Sequence, residues 1–190
     1  MSARSGGLRT GRLDLRPVSR EDLDDAVRLG TDARVMAFLA GAMSPEGCAA
    51  WHARQLSHWE RHGFGRYHVT CNGDFVGYVG LMRDDFDAGV VPGVEVAWRL
   101  VFEAWGKGCA TEAARAVMSE GFARGLDAIV AVTATGNARS RRVMDRLGMA
   151  WSPGETFEYP RLPVGHPLRE HVVYRVRREE WGEEADGVTS

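Results

Sequence analysis

Seven consecutive residues near the middle of the chain, Trp105-Gly106-Lys107-Gly108-Cys109-Ala110-Thr111, have the types and spacing to hold an anion. They stand between a stretch of strand character at 94–100 and one of helix character at 108–124. Glycines at such a turn let backbone N–H groups approach a negatively charged ligand closely. The N-terminus of the following helix adds its partial positive charge and Lys107 a full one, which together make a site for phosphate. The spacing is not that of a Walker loop, which needs four residues between its first Gly and the Gly-Lys pair, nor that of the dinucleotide loop G-x-G-x-x-G. Taken alone, the segment also reads as a plain glycine-rich connection.

The elements that must position this loop are legible on either side of it. Val94, Val96, Trp98 and Leu100 face one way along a strand and Glu95, Ala97 and Arg99 the other. Ala110, Ala113, Ala114, Val117, Met118, Gly121 and Phe122 make the apolar stripe of the helix that follows. Ala128–Thr135 is a nearly continuous β-branched run, a strand covered on both faces. Asn137 then caps a helix that Gly148 stops. Upstream, Leu13 and Leu15 alternate with polar residues as a half-buried strand, and Ser19 caps the first of two short helices that carry Val27, Leu29, Val35, Met36 and Leu39. Ser44-Pro45-Glu46 starts a longer helix reaching His62. Arg66–Cys71 and Phe75–Met82 make a hairpin about Asn72-Gly73, Gly89–Gly93 is a loop, and His171–Arg178 is a late strand. This order predicts an α/β mixed sheet of six or seven strands with four or five helices.

At 190 residues, 44% hydrophobic and 26% charged, the chain is expected to form one soluble domain over residues 8–181, with loose ends at 1–7 and 183–190. A net charge of -2 argues against a broad nucleic-acid face. Cys48, Cys71 and Cys109 are odd in number and lack metal-type spacing, so neither a disulfide frame nor a metal site is indicated. No signal peptide or membrane span is read from the sequence, and the cytoplasm is the expected compartment.

Three segments in order carry a resemblance: Glu95-Val96-Ala97-Trp98-Arg99-Leu100, the Trp105-Gly106-Lys107-Gly108-x-Ala110-Thr111-Glu112-Ala113 loop, and Asn137-x-x-Ser140 through Leu147-Gly148-Met149. Together they resemble the acetyl-CoA core of the GCN5-related (GNAT) N-acetyltransferases. The wider text, Arg12–Pro17, Gly77–Leu81 and Gly165–Arg175, is similar to their ribosomal-protein-type (RimJ/RimL) branch. Trp105-x-x-Gly108-x-Ala110 occupies the family's Q/R-x-x-G-x-G/A motif, with Trp in place of Gln or Arg.

The resemblance implies the GNAT fold, acetyl-CoA as cosubstrate with no metal, and transfer of the acetyl group to a primary amine by direct attack. The cofactor-binding residues would be Trp98, Arg99, Leu100, Trp105, Gly106, Lys107, Gly108, Cys109, Ala110, Thr111, Asn137, Ser140 and Arg142, with Arg141 an alternative to Arg142 for the 3′-phosphate. The strand at 94–100 should diverge from that at 128–135, so that the amide-bearing arm of the cofactor fills the gap like an added strand. Glu95 is the candidate base, against an outward charge paired with Arg99. His171 and Glu158 are rivals from the wall of the amine site. Many relatives place a Tyr as acid where this chain has Met144. Ser140 is the nearest substitute, and the thiol of CoA is acidic enough for the acid to be dispensable. Glu112 reads as dipole stabilisation, and Trp51, Trp59 and Trp98 as core or pocket wall. Partners would be acetyl-CoA and an amine, either a protein N-terminus or a small molecule, with no nucleic acid or membrane; a homodimer is allowed. A non-catalytic acyl-CoA-binding module and an unrelated phosphate-loop protein are the competing readings.

Overall fold

In the computed structural model, which describes residues 6–83, 93–160 and 162–182, the alternation near the start of the chain becomes a strand. Leu13 and Leu15 are buried and Asp14 and Arg16 exposed along Leu13–Pro17 (β2), and a two-residue strand, Leu8–Arg9 (β1), pairs with it. A 3₁₀ turn leads into α1 (Leu23–Thr31) and α2 (Ala33–Met36). The Ser44 hydroxyl accepts the Gly47 N–H at 3.2 Å and so caps α3 (Pro45–His62). The hairpin of β3 (Arg66–Cys71) and β4 (Asp74–Arg83) turns at Asn72-Gly73. Then follow β5 (Val94–Leu100), α4 (Cys109–Ala123), β6 (Ala128–Ala134), α5 (Ala138–Arg146), β7 (Ala150–Glu158) and β8 (Glu170–Arg177).

The described strands form one eight-stranded sheet in the order β1-β2-β3-β4-β5-β6-β8-β7, antiparallel except between β5 and β6. The two strands not located in the sequence are β1, too short to show a period, and β7. Pro153-Gly154 inside β7 reads as a chain break, but β7 is an edge strand whose register shifts between Trp151 and Thr156, where such residues are tolerated. Of the ends expected at 1–7 and 183–190 and the loop expected at 89–93, residues 1–5, 183–190 and 89–92 lie outside the described residues.

Register assigns the two faces. Val79 opposes Trp98 and Leu81 opposes Val96, and this face meets α4, whose Gly121 lies against Leu81 and Ile129. Ala113, Ala114, Val117 and Met118 are fully buried there. On the other face Tyr78 opposes Arg99, Gly80 opposes Ala97 and Met82 opposes Glu95. The Tyr78 hydroxyl donates to the Asp22 carbonyl at 3.0 Å, and its ring meets Trp51 of α3 edge-on at 5.4 Å. A small separate core of Val130, Val173, Val132 and Phe157 continues this second face under β6, β8 and β7. Among the described residues no helix is long and apolar enough to cross a membrane.

Candidate active site

The parallel strands β5 and β6 pair only at Val94–Ile129 and Glu95–Val130. Beyond these two rungs they separate, although β4 follows β5 to Leu100 and β8 follows β6 to Ala134. Backbone groups along a split inside a sheet need another partner. The split opens into a cavity of about 970 Å³ that runs from the loop before α4 to the face under α3.

At the loop end, Gly106 and Gly108 take φ of 75° and 80°, a conformation that disfavours a side chain. The first bond inside α4 runs from the Glu112 N–H to the Gly108 carbonyl at 3.0 Å. The amides of Cys109, Ala110 and Thr111, all lining the cavity, therefore have no partner from the helix. The Trp105 indole donates to the Leu100 carbonyl at 2.9 Å, tying the loop to the end of β5, and Arg139 lies 4.8 Å over its ring. Lys107 is the one residue of the seven outside the cavity lining: its side chain is exposed and its carbonyl accepts from Arg12 at 2.9 Å. Glu112 also lies outside the lining, paired with Arg12 at 2.7 Å and accepting from the Thr10 hydroxyl at 2.6 Å. Burial pushes the Glu112 carboxyl upward, but these hydrogen bonds outweigh that and hold it below its ordinary range.

Across the split, Asn137 fixes the start of α5. Its side-chain oxygen accepts the Ser140 N–H at 3.2 Å, and its amide nitrogen donates to Thr133 Oγ1 at 2.9 Å and to Ser140 Oγ at 3.1 Å. Met144 is buried against the cavity one turn further on. The arginines of α5 divide. Arg139, Arg142 and Arg146 line the cavity, whereas Arg141 donates to the Tyr174 hydroxyl at 3.2 Å and the Thr135 carbonyl at 3.3 Å and lies over Trp151. Of the two candidates for the 3′-phosphate, Arg142 is the one the cavity brings in.

Glu95 stands at the vertex of the split, half-buried, on the face toward α3. Burial raises its carboxyl to about 7, against a smaller lowering by Arg66 and the Val132 backbone. It does not pair with Arg99, so the surface ion pair weighed as its alternative is absent. The Arg99 guanidinium instead lies 5.0 Å over Trp51; burial and then Arg66 push it down to about 9, which leaves it cationic at neutral pH. His171 also lines the cavity, stacked on Tyr159 at 4.7 Å, with its Nδ1 3.2 Å from the Arg169 carbonyl; burial lowers its pKa. Glu158 is exposed, paired with Arg169 and outside the lining. Trp51 and Trp98 line the cavity, while Trp59 donates to the Arg66 carbonyl at 2.7 Å and packs on Tyr67 in the core.

Sequence reasoning missed Arg66, Tyr159 and Leu162, and the wall supplied by Met36 at the end of α2 and Phe38 just after it. Arg66 was visible as the off-face residue of the β3 alternation. That its face is the cavity follows only from the position of α3, which no local pattern reveals. Tyr159 and Leu162 lie beyond β7, the strand that local breakers concealed.

A long ligand with phosphates at one end and an amide-bearing arm suits these features: cationic groups and helix amides at the mouth, and unpaired strand edges within. The family model described as the acetyltransferase (GNAT) domain matches residues 12–150. The chain is similar to the FsC-acetyl coenzyme A-N(2)-transacetylase of Aspergillus fumigatus, with 31% identity over 188 residues that span 92% of this chain and 77% of that protein. In fold it is similar to an acetyltransferase from Agrobacterium tumefaciens, at a TM-score of 0.74 and 24% identity, covering 93% of this chain and 97% of the other. It is likewise similar to RimL, a ribosomal L7/L12 alpha-N-protein acetyltransferase in complex with coenzyme A, at a TM-score of 0.73 and 15% identity over 88% and 95% of the two chains. This chain belongs to the GNAT acetyltransferase family and is an acetyl-CoA-dependent acetyltransferase.

Proposed function

We propose that the protein acetylates a primary amine by direct attack within one ternary complex, and that residues 8–181 act as a single domain in doing so. The observation that carries this reading is the position of Glu95, a carboxyl raised to about 7 at the vertex of the β5–β6 split. The loop amides and Arg142 would hold the phosphates, and the edges of β5 and β6 the amide-bearing arm. An N–H on the free edge of β5 would donate to the thioester oxygen as it gains charge. Glu95, directly or through one water, would take the proton that the attacking ammonium must lose.

Ser140 fits the role of proton donor to the departing sulfur. Its oxygen already accepts from Asn137, so its own proton is left to be given. The test is direct: purified protein is incubated with acetyl-CoA and a panel of amines, free thiol is followed by absorbance, and the product is weighed by mass spectrometry. Thiol release that depends on the amine, with an N-acetyl product, supports the reading. Hydrolysis alone, without an amide product, removes it.

A further inference from the structure

Among the described residues, the charge of the cavity on its acceptor side is mainly positive. Among the described residues lining it, Glu95 is the only carboxylate, while Arg54, Arg66, Arg83 and Arg99 all contribute. Arg99 is the one of these carried by the same strand as Glu95. It sits four residues from Glu95 on the same face of β5, with only the small Ala97 between them on that face. Its guanidinium lies over Trp51 at 5.0 Å, and among the described residues no carboxylate pairs with it. A partly buried cation facing a cavity, with no opposite charge beside it, is a ready partner for an anionic group of a ligand. A planar guanidinium presents two parallel N–H groups that match a carboxylate.

We infer that the acceptor is a primary amine that also carries a carboxylate, with Arg99 receiving the carboxylate while Glu95 faces the amine. This rests on the amine-transfer reading above and names the substrate class for that site. Ala97 leaves the floor between the two ends open, so the acceptor lies along β5 with its charges reversed relative to those of the strand. An acidic pocket, as a polyamine would need, is the opposite of what the described residues place on this face.

The experiment compares amino acids of increasing length, from glycine to 6-aminohexanoate, each with its own primary amide, which is neutral and nearly the same shape. Alongside them stand aminoalkyl phosphates. For at least one length, kcat/KM should favour the acid over the amide by about tenfold to a hundredfold. In Arg99→Met, which keeps the apolar stem, that ratio should collapse toward one, and Arg99→Lys should restore part of it. Acids and amides used equally by the unaltered protein would overturn the inference with no variant needed, as would a ratio that survives Arg99→Met or a clear preference for phosphates. If no amine is acetylated at all, the amine-transfer reading falls separately. Calorimetric titration of the same acids and amides onto the CoA-loaded protein then decides the carboxylate site: tighter binding of an acid supports it, and equal binding removes it.

Discussion

At the scale of the residue, Glu95 has the sharpest consequences. Only its ionised form can take a proton, and burial sets that ionisation near 7. Turnover of an accepted amine should therefore rise with pH through about 7 and then level off. Glu95→Gln keeps the shape but not the charge. A loss of about a hundredfold to ten-thousandfold in kcat at neutral pH is expected, shrinking at high pH where more of the amine is already neutral, with acetyl-CoA affinity nearly unchanged. If His171 is the base instead, its substitution will carry the pH-dependent loss and Glu95→Gln will not. Ser140→Ala should cost far less, because thiolate is an adequate leaving group without help. Glu95 was legible as a candidate because it precedes the loop on the right strand. Its lack of a pairing with Arg99 was legible too, since residues four apart on a strand stand about 13 Å from each other, and the ion pair weighed from the sequence overlooked that distance.

At the scale of the element, the loop before α4 and the helix α5 divide the task of holding anions. Gly108→Asp would set a carboxylate at the start of α4, beside Arg12, and would force a side chain onto a backbone at φ 80°. CoA affinity, measured by calorimetry, should fall by about a hundredfold or more, with the circular dichroism spectrum retained. Lys107→Ala should cost about tenfold or less, because that side chain stays in water outside the cavity, where its charge is screened. Arg142→Ala should weaken CoA binding severalfold. Arg141→Ala should instead lower stability, through the contacts it loses to Tyr174 and Thr135. Equal effects of the two α5 substitutions on affinity would contradict the division seen here. The glycines of the loop and the stripe of α4 were readable because each has a local physical signature. Which of four neighbouring arginines is drawn away from the cavity is decided by contacts of α5 with Thr135 and with Tyr174 of β8, and a helix read alone shows only a basic face.

At the scale of the molecule, the same Glu95 couples function to stability. Its folded carboxyl is raised above the ordinary value of 4.5, so its contribution is fully present below about 4.5 and is lost as pH rises through about 7. The free protein should lose stability relative to Glu95→Gln over that range, by at most about 3 kcal/mol, as denaturant titrations at pH 4.5 and 8 would measure. A constant difference between the two proteins would remove the proposed burial of the charge. The order of strands and helices was available from periodicity, whereas the closing of the sheet by β7 depended on long-range pairing with β8. The two-rung join between β5 and β6 has a mechanical meaning as well. It makes the sheet a pair of leaves, β1 to β5 and β6 to β8, hinged near Glu95 and bridged across one face by α4, whose Gly121 reaches Leu81 on one leaf and Ile129 on the other. A ligand lying in the split would act as a strut between the leaves. Hydrogen exchange should show this as slowing of the alternate amides of 96–100 and 131–134 that point into the split, at both margins together, when CoA is added. In that sense the cosubstrate would complete the sheet on which its own reaction takes place.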